Sequence, residues 1–425
     1  GHLKGRVDNV QMQMRLDFGV IFEHVGEVIH DQTYHEWLVD INKLISHSGF
    51  RTAVVKNRGV QAYGTIKNTI SDIAAGDVPA ANHFEQGLNW IRAGTSIGYM
   101  GWSVWTSMLQ PMGLTQSIVR IGPKWVAKGI SRWLTGHEGM ESTTEWIFSQ
   151  SDFMRQRTKT MNREINEIRN KLQKSGVMTD IEDSYFWLIG KTQLIADIPT
   201  WLGEYEKQKE LHNMSDEDAA ALADQAVIDS QGSGGLKDMA QLQRGGPLQK
   251  LWTAFYSYFN VTYNLTAESY ARTDFKSVPS VGRLAVDFML LHTLPSAMAT
   301  IMYQIVKGDC EDPECLAKQL VGDHIGYTLG MVLGLRELGG IASGFGYTGP
   351  SGINLFGEVA KAVKQWKQGE VDESWLKSTN KVAGILLHYP ASQIERTIRG
   401  MYHMANGNTT NPMAPLVGPA YKDTR

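Results

Sequence analysis

The stretch Asp152-Phe-Met154-Arg-Gln-Arg-Thr-Lys-Thr-Met161-Asn-Arg-Glu-Ile165-Asn-Glu-Ile168-Arg-Asn-Lys-Leu172 decides the fold class. Met154, Met161, Ile165, Ile168 and Leu172 recur at steps of seven, four, three and four, with Arg and Lys on the flanks. Side chains at these spacings fall on one face of an α-helix, so 152–174 reads as an amphipathic helix with a short coiled-coil-like seam. The same period extends outward. On the N-terminal side, 17–48 reads as two short helices with a break near Asp31-Gln32, and 58–75 as a helix through Tyr63, Ile66, Ile70 and Ile73. Gly76-Asp-Val-Pro79 ends that helix, and a long apolar stretch over 84–121 is broken at Pro111-Met-Gly113.

On the C-terminal side, Ser215-Asp-Glu-Asp218 predicts a capped helix start, with an Ala-rich helix running to about Ile228. Gln231-Gly-Ser-Gly-Gly235 reads as a flexible joint. Pro247 stands where a first helical residue should, and Trp252, Phe255, Phe259 and Tyr263 form an aromatic stripe on one predicted helix. Two apolar stretches follow at 284–306 and 325–346, then amphipathic helices near 356–368 and 376–404. No run of alternating β-branched residues bounded by turns occurs, so the fold class is all-α, a multi-helix assembly. Composition and helix pattern divide the chain into 1–135, 136–235 and 236–425.

A chain of 425 residues with 42% hydrophobic and 20% charged residues is globular. A formal charge of −3 gives no overall pull toward nucleic acid. The mean hydropathy of −0.26 argues against a polytopic membrane protein while permitting individual membrane-competent segments. Charge is uneven: 51–134 carries nine Lys/Arg against three acidic residues, whereas 180–229 carries three against twelve. Such asymmetry points to surfaces that meet different partners or each other, with chance solvation of helix faces as the alternative. Cys310 and Cys315 lack the companions a zinc site needs and read first as free thiols in a loop, with a local disulfide as the alternative. No signal peptide opens the chain, and Gly1-His2 without an initiator Met reads as a tag scar, a processed product or a fragment.

Three patterns invite a catalytic or metal reading. Gly94-Thr-Ser96-Ile-Gly98 matches a nucleophile elbow, but that elbow needs a strand before it, and the residues preceding Gly94 have helical spacing. Glu27-Val-Ile-His30 is a single E-x-x-H step where di-iron bundles need two. His24, His30 and His35 remain the only route to a metal-dependent enzyme of unfamiliar type. The glycine-rich run at 231–235 lacks the Lys-Ser/Thr of a phosphate-binding loop. The chain is therefore expected to be no enzyme, with no cofactor and no small-molecule substrate.

The apolar segments carry more. Residues 284–306 are long enough to cross a hydrocarbon layer, but Asp287, His292, Pro295 and Gln304 interrupt them, each costly in lipid unless it faces protein or water. Glycines four apart let helices approach at backbone distance, and Gly94 with Gly98, Gly326, Gly330 and Gly334, then Gly340 and Gly344, show that spacing. Trp102 and Trp105 beside the first pair are aromatics of the kind found at membrane interfaces. In a large helical protein such helices are also ordinary core helices, and one helix can serve both settings.

The run from Ala223 to Asp238, Gln243-Arg-Gly, Phe255-Tyr-Ser-Tyr-Phe-Asn260, Leu387-His-Tyr-Pro-Ala-Ser-Gln-Ile394 and Leu416-Val-Gly-Pro-Ala-Tyr421 resembles the C-terminal region of large polyvalent phage proteins. Among these are internal virion proteins ejected into the host with the DNA. The resemblance spans most of 140–425 and rests on short words rather than a catalytic signature. It implies a virion structural protein that packs inside the capsid and assembles as an oligomeric, membrane-associated conduit in the host envelope. Its implied partners are the portal and other internal virion proteins, further copies of itself, phage DNA and the host inner membrane. A scaffold that binds the portal and never touches lipid is the nearest alternative, and a bacterial pore-forming toxin a more distant one.

Overall fold

The computed structural model describes residues 19–76, 82–136, 139–161, 164–165, 168, 184–235, 237–308, 310, 312–331, 354–369 and 371–420. Among these residues the chain is all-α, with no strand. α1 (Gly19–Ser46) runs unbroken through Asp31 and Gln32, contrary to the expected break. Neither residue removes an amide donor or demands a positive φ, so nothing in the backbone stops the helix. The break lies instead at Gly59 (φ +88) inside α2 (Ser48–Ala75), and Gly76 (φ +72) ends that helix. The two helices are joined by hydrogen bonds from His30 Nε2 to the Ile73 carbonyl (2.8 Å) and from the Tyr63 hydroxyl to the Ile45 carbonyl (2.9 Å).

α3 (His83–Met100), α4 (Val104–Leu109) and α5 (Leu114–Ile121) follow, the last two separated by a 3₁₀ turn at Gln110–Gly113. α6 (Pro123–Thr135), α7 (Met140–Gln150) and α8 (Asp152–Thr160) then lead to α9 (Trp187–His212), which forms the centre of the molecule. Most residues of α9 between Ile189 and Gln208 are buried, on every side of the helix. It packs on α4, α5, α6, α8 and the Ala-rich α10 (Asp216–Gln231). The tightest crossing is with α6: a Cβ at Gly129 would lie 2.0 Å from the Pro199 carbonyl oxygen, and one at Gly203 2.5 Å from that of Trp125. Trp201 and Tyr205 stack at 5.1 Å, and Trp146 of α7 meets Trp201 edge-on at 5.9 Å.

The predicted seam faces the core. Met154 joins the cluster around Trp201, while Met161, Ile165 and Ile168 pack with Ile97, Phe186 and Ile189. Leu172 lies outside the described residues. Ser215 caps α10 as expected, accepting from the Asp218 amide at 3.1 Å. The glycine-rich run after α10 is no flexible joint, however. Gly232 (φ +77), Ser233 and Gly234 are buried. The Gly232 carbonyl accepts from Arg157 at 2.7 Å, and the Gly234 amide donates to the Thr160 carbonyl at 2.9 Å. Arg157 also donates to Asp197 at 2.8 Å, and both side chains are within 1% of complete burial. One ion pair thus ties α8, α9 and the turn after α10 together.

The expected single aromatic helix is two. α11 (Pro247–Trp252) ends before Phe255, whose φ of +61 turns the chain into α12 (Ser257–Ala271). Trp252 and Tyr263 are exposed and Phe259 packs inward, so the four aromatics share no face. Next come α13 (Val278–Phe288), a π turn at Met289–Thr293, α14 (Leu294–Lys307) and α15 (Pro313–Leu329). α16 (Asn354–Lys367), α17 (Glu373–Leu387), α18 (Ala391–Ala405) and the short α19 (Ala414–Val417) follow among the described residues, α17 lying against α3.

Replacing Asp197 by Asn should cost about 3–5 kcal/mol in urea unfolding, because Arg157 is left charged and buried. The double replacement Arg157→Met with Asp197→Leu should recover most of that loss. Burial pushes the Asp224 carboxyl above the usual carboxylate range, against hydrogen bonds from Ser151 and Trp201. The folded state therefore holds this proton more tightly than the unfolded one, and the charged form costs stability above the folded pKa. Asp224→Asn, which keeps the acceptor oxygen, should be at least as stable as the parent at pH 8. That advantage should vanish as pH falls through the folded pKa of Asp224, as thermal melts across pH would register.

Candidate functional site

The residues from Val278 to Val306 form one helical rod of 29 residues with a mean hydropathy of 1.4 in its most apolar window, only 33% of which is buried. At 1.5 Å per residue the rod is about 43 Å long. Its polarity is inverted relative to a surface helix. Asp287 (7% exposed), His292 (0%), Ser296 (3%) and Thr300 (2%) face inward, while Val286 (54%), Met289 (59%), Met298 (38%) and Ile305 (78%) face out. The π turn is what aligns the inner stripe. Asp287 and His292 are five apart, which on an α-helix would place them on diverging faces, and one wider turn brings them back together.

Asp287, His292, Thr300 and Gln304 are held by the body or by the next helix. Asp287 accepts from Ser269 (2.8 Å) and Arg272 (2.9 Å) of the α12 end, and His292 Nε2 meets the Thr266 hydroxyl at 2.9 Å. Thr300 donates to Asp323 of α15 at 2.7 Å, and Gln304 bonds Gln319. The interruptions that make 284–306 expensive in lipid therefore all face protein.

The turn into α15 is built from local chemistry. Gly308 (φ +62) closes α14, Asp312 accepts from the Cys315 amide at 2.7 Å as N-cap, and Pro313 takes the first helical position. Cys310 and Cys315 are joined in a disulfide, which corrects the free-thiol reading; the turn places their Cα atoms 5.4 Å apart, within bonding reach. The second apolar helix also starts earlier than the predicted 325–346, because Asp312-Pro313 supplies a start signal upstream of the apolar run. α15 in turn exposes Val321 and Ile325. A disulfide-closed helical hairpin with a polar seam and an apolar outer face results.

The glycines flagged by spacing fall in different places. Gly94 and Gly98 lie against α17, where a Cβ at Gly94 would sit 1.8 Å from the Ile385 carbonyl oxygen. Gly330 faces the Phe259 ring, with room for no Cβ (2.8 Å), and Gly326 sits half-buried on α15. Gly334, Gly340 and Gly344 lie outside the described residues. Trp102 (φ +53) bonds Ser184 through Nε1 at 3.1 Å, and Trp105 meets the Tyr303 ring of the hairpin edge-on at 6.0 Å. The spacing rule missed Gly129 and Gly203, because neither has a second glycine four residues away on its helix.

The chemical candidates do not assemble. Ser96 is buried in mid-α3 and bonds the Arg92 carbonyl at 3.2 Å, so no elbow forms. The His30 ring is engaged by Ile73, His35 approaches Asp31 at 3.7 Å on the exposed face, and His24 is exposed on α1. The Glu27 side chain lies outside the described residues. Among the described residues no three His, Cys, Asp or Glu side chains converge as metal ligands. The basic stretch meets the acidic one inside the molecule: Arg120 pairs with Asp229 (2.8 Å), Lys128 with Glu206 (3.0 Å), and Arg132 with Glu206.

Lysine substitutions at Met289, Met298 or Ile305 should leave urea stability within about 0.5 kcal/mol, since these side chains hold nothing together. Asp287→Ala should cost about 1–3 kcal/mol by stranding the Ser269 and Arg272 donors. No family model, no curated protein and no solved structure matches the chain.

Proposed function

We propose that this chain is a structural module of an internal virion protein, ejected with the DNA, that meets the host inner membrane through the outer face of its disulfide-closed hairpin. The observation that carries this reading is the inverted polarity of Val278–Val306: every inner polar group has protein around it, and a stripe of Val, Phe, Met, Leu and Ile is left to solvent. Exposed apolar surface of this extent is costly in water and favourable against acyl chains or another protein. The resemblance of 140–425 to large polyvalent phage proteins supports the virion setting.

A second observation favours protein partners in addition. α17 and α18 expose Leu376, Leu387, Ile398 and Met401, apart from the hairpin, a surface suited to a further copy or to another virion protein. With Arg120, Lys128 and Arg132 engaged in internal ion pairs, contact with DNA would fall to other cations of 51–134, such as Lys56, Arg58 and Lys67.

Flotation with vesicles containing anionic lipid, together with dye release, tests the membrane reading. The purified chain should float and release dye, and the double variant Met298→Lys with Ile305→Lys should lose both while keeping its helical signal. A parent chain that neither floats nor releases dye sinks the proposal. Concentration-dependent self-association without lipid, unaffected by the double variant but lost in Leu387→Lys with Ile398→Lys, would assign the second surface to oligomer contact.

A further inference from the structure

Between the hairpin and the body lies a cleft of about 240 Å³ that the membrane reading does not use. Three of its walls are aromatic. Trp105 comes from α4, Tyr303 from α14 and Tyr327 from α15, and the Trp105 and Tyr303 rings meet at 84°. The face of an aromatic ring carries negative potential and attracts a cation, and three such rings line this one space.

The polar lining has one sign. Asp323 contributes a half-buried carboxylate whose single hydrogen bond among the described residues comes from the Thr300 hydroxyl. No described Lys, Arg or His forms an ion pair with it, although most carboxylates of comparable burial here are matched, such as Glu206, Glu358 and Asp287. Ser296, 3% exposed, also lines the cleft, and its Oγ has no hydrogen-bond partner. A buried hydroxyl left without a partner is uncommon and marks a place for a further polar group. Gln319 supplies another polar side chain on the same wall.

We infer that this cleft binds an organic ammonium group, its charge between Asp323 and the rings of Trp105, Tyr303 and Tyr327, with the Ser296 hydroxyl receiving a polar atom of its stem. A free amine such as choline or ethanolamine and the ethanolamine head of a phospholipid share this chemistry. The site itself stands apart from membrane contact, and only a lipid source for its occupant rests on that reading.

Saturation-transfer NMR on the full chain, with tetramethylammonium, choline and ethanolamine as probes, tests the site without any membrane. At least one probe should show transfer. Asp323→Asn, which can still accept from Thr300, should weaken it at least about tenfold, and Trp105→Phe should weaken it less. Absence of transfer from all three probes overturns the inference, as does undiminished binding in Asp323→Asn. If that variant melts early, Tyr303→Leu serves in its place, with the same loss expected and the same overturning result. Flotation on vesicles with and without phosphatidylethanolamine separates the sources: a requirement for that lipid, lost in Asp323→Asn, assigns the lipid head, and indifference to it assigns the free amine. A chain that binds choline yet never floats keeps the cleft and sinks the membrane reading; one that floats but binds no amine does the reverse.

Discussion

The fully buried pair of Arg157 and Asp197 is the interaction on which the rest of the molecule depends. Two charges removed from water are tolerable only with close geometry and further hydrogen bonds. Arg157 meets this by reaching Asp197 and the Gly232 carbonyl, while Asp197 also accepts from Gln193 at 2.9 Å. The partners come from three separate stretches of chain, so the pair forms only when α8, α9 and the turn after α10 are all in place. It specifies an arrangement more than it stabilises one.

Around that centre, close approach is achieved by removing side chains. Gly129 and Gly203 bring α6 and α9 to backbone distance, and Ala219, Ala223 and Ala226 keep the facing side of α10 flat. Opposite charges meet here as well, Lys128 and Arg132 of α6 with Glu206 of α9, and Arg120 of α5 with Asp229 of α10. Part of the charge asymmetry along the chain is thus matched within the molecule at α5, α6, α9 and α10.

The hairpin follows the opposite rule from the core. There the polar groups are inside and the apolar ones outside, and the π turn is the device that holds His292 in register with Asp287 and Ser296. A helix of this kind is stable in the fold because its polar seam is hydrogen-bonded, not because its apolar face is covered. Its outer stripe is exposed, and the cleft along its inner side holds the Asp323 carboxylate, which pairs with no cation among the described residues.

Local periodicity and start signals determined the all-α class, the cap at Ser215 and the helix start at Pro247, because these depend on residues within one or two turns of each other. Local chemistry also contained the Asp312-Pro313 start and the Gly59 break, both legible in principle. The sequence also contained the interruptions in 284–306, though not which way they pointed. Tertiary structure alone decided that Asp287, His292, Ser296 and Thr300 face protein, that the glycine-rich run after α10 is an anchored core turn, and that Phe255 breaks the aromatic helix. It also brought Trp105 to Tyr303 from a distant part of the chain. The reason is common to all of these: the direction of a side chain, and the worth of a buried charge, are set by what lies opposite, and what lies opposite comes from another element, many turns of helix away along the chain.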